Sequence, residues 1–352
     1  MDPVSLAVIA GFLGFLLVFG AVPYAARYLY HSGIRGVDQQ KLSKPSLPTS
    51  GGTVVFFGFL TALSLFTAGA SLLGASSIDV ALVLAGLASV SIITMIGLID
   101  DIHVDLEQYA RDELEVEDVS VSGDREYRKG LQQVPKMLFV LPAVLPLAAI
   151  GAGSWEMALP FVGVVDWGYL YPVLLLPIGL LFVSNVVNML AGTNGLSALL
   201  SLVTALGIGV FAAVNQRFEA AAIALVLAGC LGGFLLHNMH PASVLPGDSL
   251  TYLAGAGLFS AIVVGNIEKF GVFVSALWFV EFFLKARSRF EARSWGEIQE
   301  DGTLRPFHQE TYSLTHPFMR RGFTEPQVTA ALGMLQLTVV VLGLILFTLG
   351  PL

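Results

Sequence analysis

The chain has 352 residues, 55% of them hydrophobic and only 12% charged, with a mean hydropathy of +0.77. Soluble domains carry about 25% charged residues, so a soluble globular chain and a disordered one are both excluded. A net charge of −8 argues against a nucleic-acid partner, and the single cysteine, Cys230, leaves no internal disulfide and no cysteine-built metal site.

A membrane span needs about 20 mainly apolar residues. Ten segments qualify, at about 4–26, 52–73, 79–99, 136–152, 169–188, 195–214, 219–237, 249–266, 270–286 and 327–349. The expected fold is all-α, a polytopic integral membrane protein with a single transmembrane domain over 1–352 in the lipid bilayer. Asp2 stands where a signal peptide has a basic leader, and the first apolar run continues to Arg27, so it reads as a retained helix. In the fourth segment Pro142 and Pro146 interrupt a short run.

Alternation puts the loops at 27–51, 100–135, 189–194, 238–248 and 287–326 on one side. That side holds 16 of the 18 basic residues, all but Arg217 and Lys269. By the positive-inside rule it is cytoplasmic and both termini are external, in a multi-pass protein of the cell membrane. The opposite connections are short except 153–168, which carries Trp155 and Trp167 and reads as an interfacial segment. The segment 100–136 holds 11 acids against 5 bases, −6 of the total −8, so the net charge is mainly one acidic loop.

The polar motifs gather on the basic side. Asp100 and Asp101 end the third apolar run; adjacent carboxylates there suit a divalent cation or a proton, and also fit an ordinary solvated helix end. The stretch Asn185 to Leu196 puts Asn185 and Asn188 on one helix face, followed by Gly192, Asn194 and Gly195 in a glycine-broken turn. Such amides bind Mg²⁺ through oxygen or read a nucleobase edge, although Asn and Gly are also common helix caps. Asp248, in Pro246-Gly247-Asp248-Ser249, is either a hard-cation ligand or the N-cap of the helix it opens. Lys41 and Lys44, after Gly36-Val37-Asp38 and before Ser50-Gly51-Gly52, suit a phosphate at a helix start, or simply a basic turn. Arg287 and Arg289 suit a pyrophosphate or lipid headgroups. All six histidines lie on the same side, none with zinc-protease spacing. Carboxylates, amides and cations from five loops on one face point to a phosphate-bearing, nucleotide-like substrate meeting a membrane-embedded partner.

In combination, the Asp100-Asp101 pair, the Asn185–Gly195 loop, Gly247-Asp248-Ser249 and the early Lys/Pro/Gly-Gly loop resemble the polyprenyl-phosphate N-acetylhexosamine-1-phosphate transferases (glycosyltransferase 4). The likeness runs over essentially the whole chain. Ala191-Gly192 stands where bacterial members have Asp-Gly, and Asn194 where they have Asp, which is similar to the eukaryotic dolichyl enzymes. The bacterial translocase's tri-histidine signature is missing. Lys136, with Leu145-Pro146 beyond it, matches the family lysine. Ser288 and Thr49 depart from the eukaryotic His and Glu, and the mixed signature with acidic loops suits an archaeal source.

The resemblance implies a UDP-sugar donor, UDP-GlcNAc or a related UDP-HexNAc, and a polyprenyl (dolichyl) phosphate acceptor. UMP is released, and the lipid-linked sugar starts glycan assembly for protein N-glycosylation. It implies Mg²⁺, or Mn²⁺ in its place, held by Asn188 and Asp248. Lys136 and Arg287 neutralise phosphates, with Lys44 and Asn185 also at the substrate, and Asp100 or Asp101 acts on the lipid phosphate. Asn194 and the Gly192 and Gly195 backbone read uracil, Arg289 meets the sugar, and a homodimer fits the family. The alternative from another class is a transporter or lipid-pyrophosphate scramblase with a cytoplasmic nucleotide-sugar site. That reading needs a polar route through the bilayer, where Glu281 is the chief mid-helix charge.

Overall fold

A computed structural model describes residues 2–102, 133–159 and 163–349; the side chains at 133–139, 158, 159 and 349 lie outside that description. The acidic run expected beyond Ile102 falls at 103–132, outside the described residues.

In chain order the elements are α1 (Pro3–His31), β1 (Arg35–Val37), β2 (Ser46–Pro48), α2 (Gly52–Leu72), α3 (Val80–Ile102) and α4 (Gln133–Ala149). Next come β3 (Glu156–Leu159), β4 (Gly163–Asp166), a π-helical turn (Tyr171–Leu175) running into α5 (Leu176–Met189), α6 (Leu196–Val214), α7 (Phe218–Asn238) and α8 (Gly247–Gly265). The chain closes with α9 (Glu268–Val274), α10 (Ala276–Arg287), β5 (Gly296–Ile298), β6 (Leu304–Pro306), α11 (His316–Met319) and α12 (Glu325–Leu349). The strands form three separate antiparallel hairpins, β1–β2, β3–β4 and β5–β6. This is a multi-pass membrane protein: among the described residues, 8 helices are long and apolar enough to cross a bilayer.

The two remaining expected spans are helical but imperfect. α4 is 17 residues long with Pro142 and Pro146 inside it. The segment 270–286 is not one helix: it breaks at Ser275 between α9 and α10. The Ser275 hydroxyl bonds back to the Gly271 carbonyl at 2.7 Å, and the buried Gln336 of α12 donates to the Val274 carbonyl and to Thr204, each at 2.8 Å. A helix can break inside a membrane only where protein re-satisfies its backbone, and here Gln336 does so. Sequence periodicity carries no sign of this, because the partner lies on another helix.

Burial sorts the helices. In α8, 89% of the most apolar stretch is buried inside the protein, against 28% in α1 and in α12. α8 is also the least apolar of the 8, with hydropathy 1.3 against 2.5 for α1. Its small residues (Ala254, Gly255, Ala256, Gly257, Ser260, Ala261) let neighbours approach, whereas the perimeter helices need apolar side chains for lipid. α1 and α7 show the tightest contact: a Cβ on Gly229 would stand 1.9 Å from the Gly11 carbonyl oxygen, and one on Gly233 2.5 Å from that of Phe15. Cys230 is wholly buried beside this seam, as its apolar surroundings imply.

The 153–168 connection, expected as an interfacial segment, carries the β3–β4 hairpin. Glu156 pairs with Asp166, and the Trp167 N–H donates to the Trp155 carbonyl at 2.8 Å.

Candidate active site

α8 opens on Pro246, whose side chain offers no acceptor to the free N–H groups of the first turn. Asp101, at the end of α3, supplies it. Its Oδ1 accepts from the Asp248 N–H at 2.6 Å, and its Oδ2 from the Ser249 N–H at 3.1 Å and the Ser50 hydroxyl at 2.8 Å. The expectation that Asp248 caps its own helix is therefore corrected. The cap comes from another helix, which leaves the Asp248 side chain in the first turn instead of at the cap position. A carboxylate facing a helix N-terminus is favourable through both its hydrogen bonds and the helix dipole.

Three glycines let this cap form. Gly247 has φ +69°, and a Cβ there would stand 2.4 Å from an Asp101 carboxylate oxygen. A Cβ on Gly97 would meet the Asp248 carbonyl oxygen at 2.7 Å, and one on Gly52 the Leu250 nitrogen at 2.0 Å. The Gly51 and Gly52 N–H groups donate to the Leu245 and Pro246 carbonyls, both at 3.1 Å. Those amides join two helix starts, so the phosphate cradle read into Gly51-Gly52 is already filled by α8. Lys44 lies in the β1–β2 connection, exposed, with φ +42°.

α5 brings the asparagines to the same level. The Tyr252 hydroxyl donates to Asn185 Oδ1 at 3.4 Å, and a Cβ on Gly255 would lie 2.6 Å from Ser184 Cα. α5 and α8 thus run antiparallel in contact. Asn188, about one turn beyond Asn185, comes level with Asp248 at about one turn before Tyr252. The Asn185 amide also donates to the Leu181 carbonyl at 2.8 Å. Asn188 is half-buried, and its side chain has no hydrogen-bond partner among the described residues. Asp100 is 7% exposed on the last turn of α3. Lys136 stands in the first turn of α4, which packs against α3 and α5; its side chain is outside the described part. Five elements so converge on one end of the bundle, and Asp101 is the group that locks two of them.

The loop between α5 and α6 is held from beneath. The Asn194 N–H donates to Glu325 Oε1 at 2.7 Å, its carbonyl accepts from the Thr329 hydroxyl at 3.0 Å, and its side-chain Nδ2 donates to Asp38 Oδ2 at 2.9 Å. Lys41 pairs with Asp38 at 3.1 Å and also with Glu325, whose Oε2 lies 3.0 Å from His240 Nδ1. The Gly192 carbonyl accepts from Gln40 at 2.5 Å, and the Gly195 N–H donates to Asn238 at 3.1 Å. Of these glycine backbones, the Gly192 carbonyl and the Gly195 N–H are thus each bonded within the protein. The Asn194 Oδ1 accepts no hydrogen bond from the described residues.

The last loop packs against this one. Phe182 of α5 stacks on Phe279 of α10 at 4.7 Å between ring centroids, and the Ser294 hydroxyl donates to the Met189 carbonyl at 2.5 Å. Arg287 is more than half exposed, with Glu310 at 3.8 Å; Arg289 is exposed in a left-handed conformation, φ +54°. The loop is tied down from inside by Glu281, which accepts the Leu314 N–H at 2.8 Å, and by Lys285, which donates to the Ala292 carbonyl at 2.5 Å. His316 bridges to the Arg293 carbonyl at 2.9 Å, and burial holds its imidazole below the ordinary histidine range. Glu281, the chief mid-helix charge expected from the sequence, is thus an anchor for the Arg287–Arg289 loop.

Among the described residues no three His, Cys, Asp or Glu side chains converge as a metal cage. Oxygen donors from Asn188 and Asp248 fit a hard cation that takes most of its ligands from water and phosphates, which is the habit of Mg²⁺. Sequence reasoning missed Glu325 and read Asp38 and Ser50 only as parts of the early lysine–glycine loop. Their only sequence signals were acids beside a helix start or glycine turn, which are commonplace.

The glycosyl transferase family 4 model matches residues 83–266, more than half of the chain. The chain belongs to that family. The matched region contains Asp100, Asp101, Lys136, Asn188, Asn194 and Asp248, whereas Lys44, Arg287, Arg289 and Glu325 lie outside it. A Sulfolobus acidocaldarius protein provisionally named UDP-N-acetylglucosamine–dolichyl-phosphate N-acetylglucosaminephosphotransferase is 29% identical, over 88% of this chain and 86% of its own length. One of the same name from Saccharolobus solfataricus is 28% identical over 96% and 95%. A phospho-N-acetylmuramoyl-pentapeptide-transferase of Streptococcus pyogenes is 26% identical over 86% and 87%.

Proposed function

We propose that this family 4 transferase moves GlcNAc-1-phosphate, or a related HexNAc-1-phosphate, from a UDP-sugar to a polyprenyl phosphate of the dolichyl type. The observation that carries this reading is the convergence of Asp100, Asn188 and the Asp101-capped Asp248 at one end of a membrane bundle, in a chain similar to proteins named for that reaction. An oxygen of the lipid phosphate attacks the β-phosphorus of the donor, the bond from that phosphorus to the bridging oxygen breaks, and UMP leaves. Two dianions go in and two come out, so the step needs positioning and charge neutralisation more than proton transfer.

Asn188 and Asp248 hold Mg²⁺ (or Mn²⁺), which would supply charge neutralisation at the donor phosphates. Lys136 and Arg287 neutralise the remaining phosphate charge, with Lys44 and Asn185 at the substrate's edge. Asp100 faces the lipid phosphate, whose second pKa lies near about 6 and so demands little of a base. Asp101 is assigned to positioning, because its oxygens are occupied by the α8 cap. Asn194 reads uracil through Oδ1, and Arg289 meets the sugar. The basic side is cytoplasmic, the termini are external, and the product starts glycan assembly for protein N-glycosylation at an archaeal cell membrane. The transporter reading finds no support in the proteins this chain is similar to, which are named as transferases.

Asp248→Asn, assayed in detergent with UDP-GlcNAc, Mg²⁺ and dolichyl phosphate, should cut lipid-linked sugar formation by on the order of 10²-fold or more. Chelation should silence the wild type, and Mg²⁺ or Mn²⁺ should restore it. Full activity of the variant would sink the metal assignment.

A further inference from the structure

We propose that Asp38 is the specificity-determining residue of the nucleotide subsite. It fixes the Asn194 amide so that an acceptor oxygen, rather than a donor nitrogen, faces the base. This rests on the uridine-nucleotide reading above and deepens it.

An asparagine amide is ambiguous by shape, since its oxygen and nitrogen ends are nearly isosteric. A reader of bases must not be ambiguous: uracil presents an N–H donor at N3 where cytosine presents an acceptor. Only a neighbour that bonds one end of the amide and rejects the other can settle the choice. Asp38, 5% exposed, is such a neighbour, because an ionised carboxylate accepts and cannot donate. The Asn194 Nδ2 lies 2.9 Å from Asp38 Oδ2, so the opposite orientation would set oxygen against oxygen. With Nδ2 committed, the end left for a ligand is Oδ1, which matches the N3–H of uracil and opposes the N3 lone pair of cytosine.

The surroundings hold the Asp38 carboxylate in place. Lys41 pairs with it at 3.1 Å and is shared with the buried Glu325. Glu325 holds the Asn194 N–H at 2.7 Å, and Thr329 holds the Asn194 carbonyl at 3.0 Å, so the backbone of the reading residue is gripped on both sides. Asp38 and Glu325 are separated from Asn194 by 156 and 131 positions in the chain. A grip drawn from such distant elements, applied to one amide, exceeds what closing a loop requires.

The test uses the full chain in detergent, with UMP and CMP as competing inhibitors of UDP-GlcNAc turnover. The wild type should prefer UMP by on the order of 10²-fold, since a mispaired buried polar group is costly. Asp38→Asn lets either end of the Asn194 amide face the base, and the preference should fall below about 10-fold, with the KM for dolichyl phosphate unchanged. The exchanged pair, Asp38→Asn with Asn194→Asp, restores an amide-to-carboxylate contact and leaves an acceptor toward the base, so the preference should return. That rescue separates the role from mere folding: a structural residue would lower Tm and weaken UMP and CMP alike. An unchanged UMP-to-CMP ratio in Asp38→Asn, or an exchanged pair that folds but does not discriminate, overturns the proposal. A wild type inhibited by neither nucleotide overturns the uridine reading itself, and is recognised before any variant is compared.

Discussion

At the end of the bundle where α3, α5 and α8 meet, three carboxylates reach across the chain for backbone N–H groups. Asp101 takes those of Asp248 and Ser249, Glu325 that of Asn194, and Glu281 that of Leu314. At the opposite end Asp2, Asp79 and Asp166 bond to Ser5, Ala81 and Gly168, two or three residues away. The longer bonds there, Glu219 to the Asp79 N–H and Tyr171 to Glu268, tie neighbouring helix ends. A local cap ends a helix and does little else. A distant one fixes the position of one element relative to another, which is what a multi-loop active site requires.

That contrast is broken most severely at the Asp100-Asp101 pair. Asp101→Ala should lower stability by about 1–3 kcal/mol, measured by thermal unfolding in detergent, and reduce turnover by on the order of 10²-fold, because α8 loses its cap and Asp248 its position. Asp100→Asn should reduce turnover comparably and lower stability less than Asp101→Ala does, since it leaves the α8 cap in place. Equal unfolding behaviour in the two variants would collapse the distinction between the acids. Arg289→Ala comes next. It should raise the KM for UDP-GlcNAc by on the order of 10-fold and leave inhibition by UMP, which carries no sugar, unchanged.

A smaller effect is expected from pH. Because burial lowers the His316 pKa, the unfolded chain takes up a proton near pH about 6.5 while the native loop stays neutral. The stability His316 contributes is present above that pH and lost as pH falls below it. The Tm should drop between pH about 7 and 5, and less steeply in His316→Gln. Smallest of all, Asp166→Ala in the β3–β4 hairpin should change stability by less than about 0.5 kcal/mol and leave turnover alone. A large loss there would show that the hairpin end is not the passive one.

Much of this was legible in the sequence because hydropathy is local and additive. The 8 membrane-length helices among the described residues follow from apolar runs, and Asp100, Asn188, Asn194 and Asp248 stood out because polar residues ending such runs are conspicuous. Glu325 did not stand out, and Ser50 entered only as part of the Ser50-Gly51-Gly52 turn. An acid at a helix start and a serine before Gly51-Gly52 are ordinary, and only the Asn194 and Asp101 contacts give them meaning. The break at Ser275 was equally silent, since its stabilising amide, Gln336, sits 61 positions away on α12.

The sequence by itself determined the class of protein, the approximate spans, and the gathering of polar chemistry on one side, because each depends on composition within a window of about 20 residues. Only the tertiary structure decided that Asp101 caps α8, that the Gly51-Gly52 amides serve α8, and that the Asn194 amide has one orientation. Those outcomes depend on which hydrogen-bond partner a polar group finds once water is removed, and that partner is supplied by the fold.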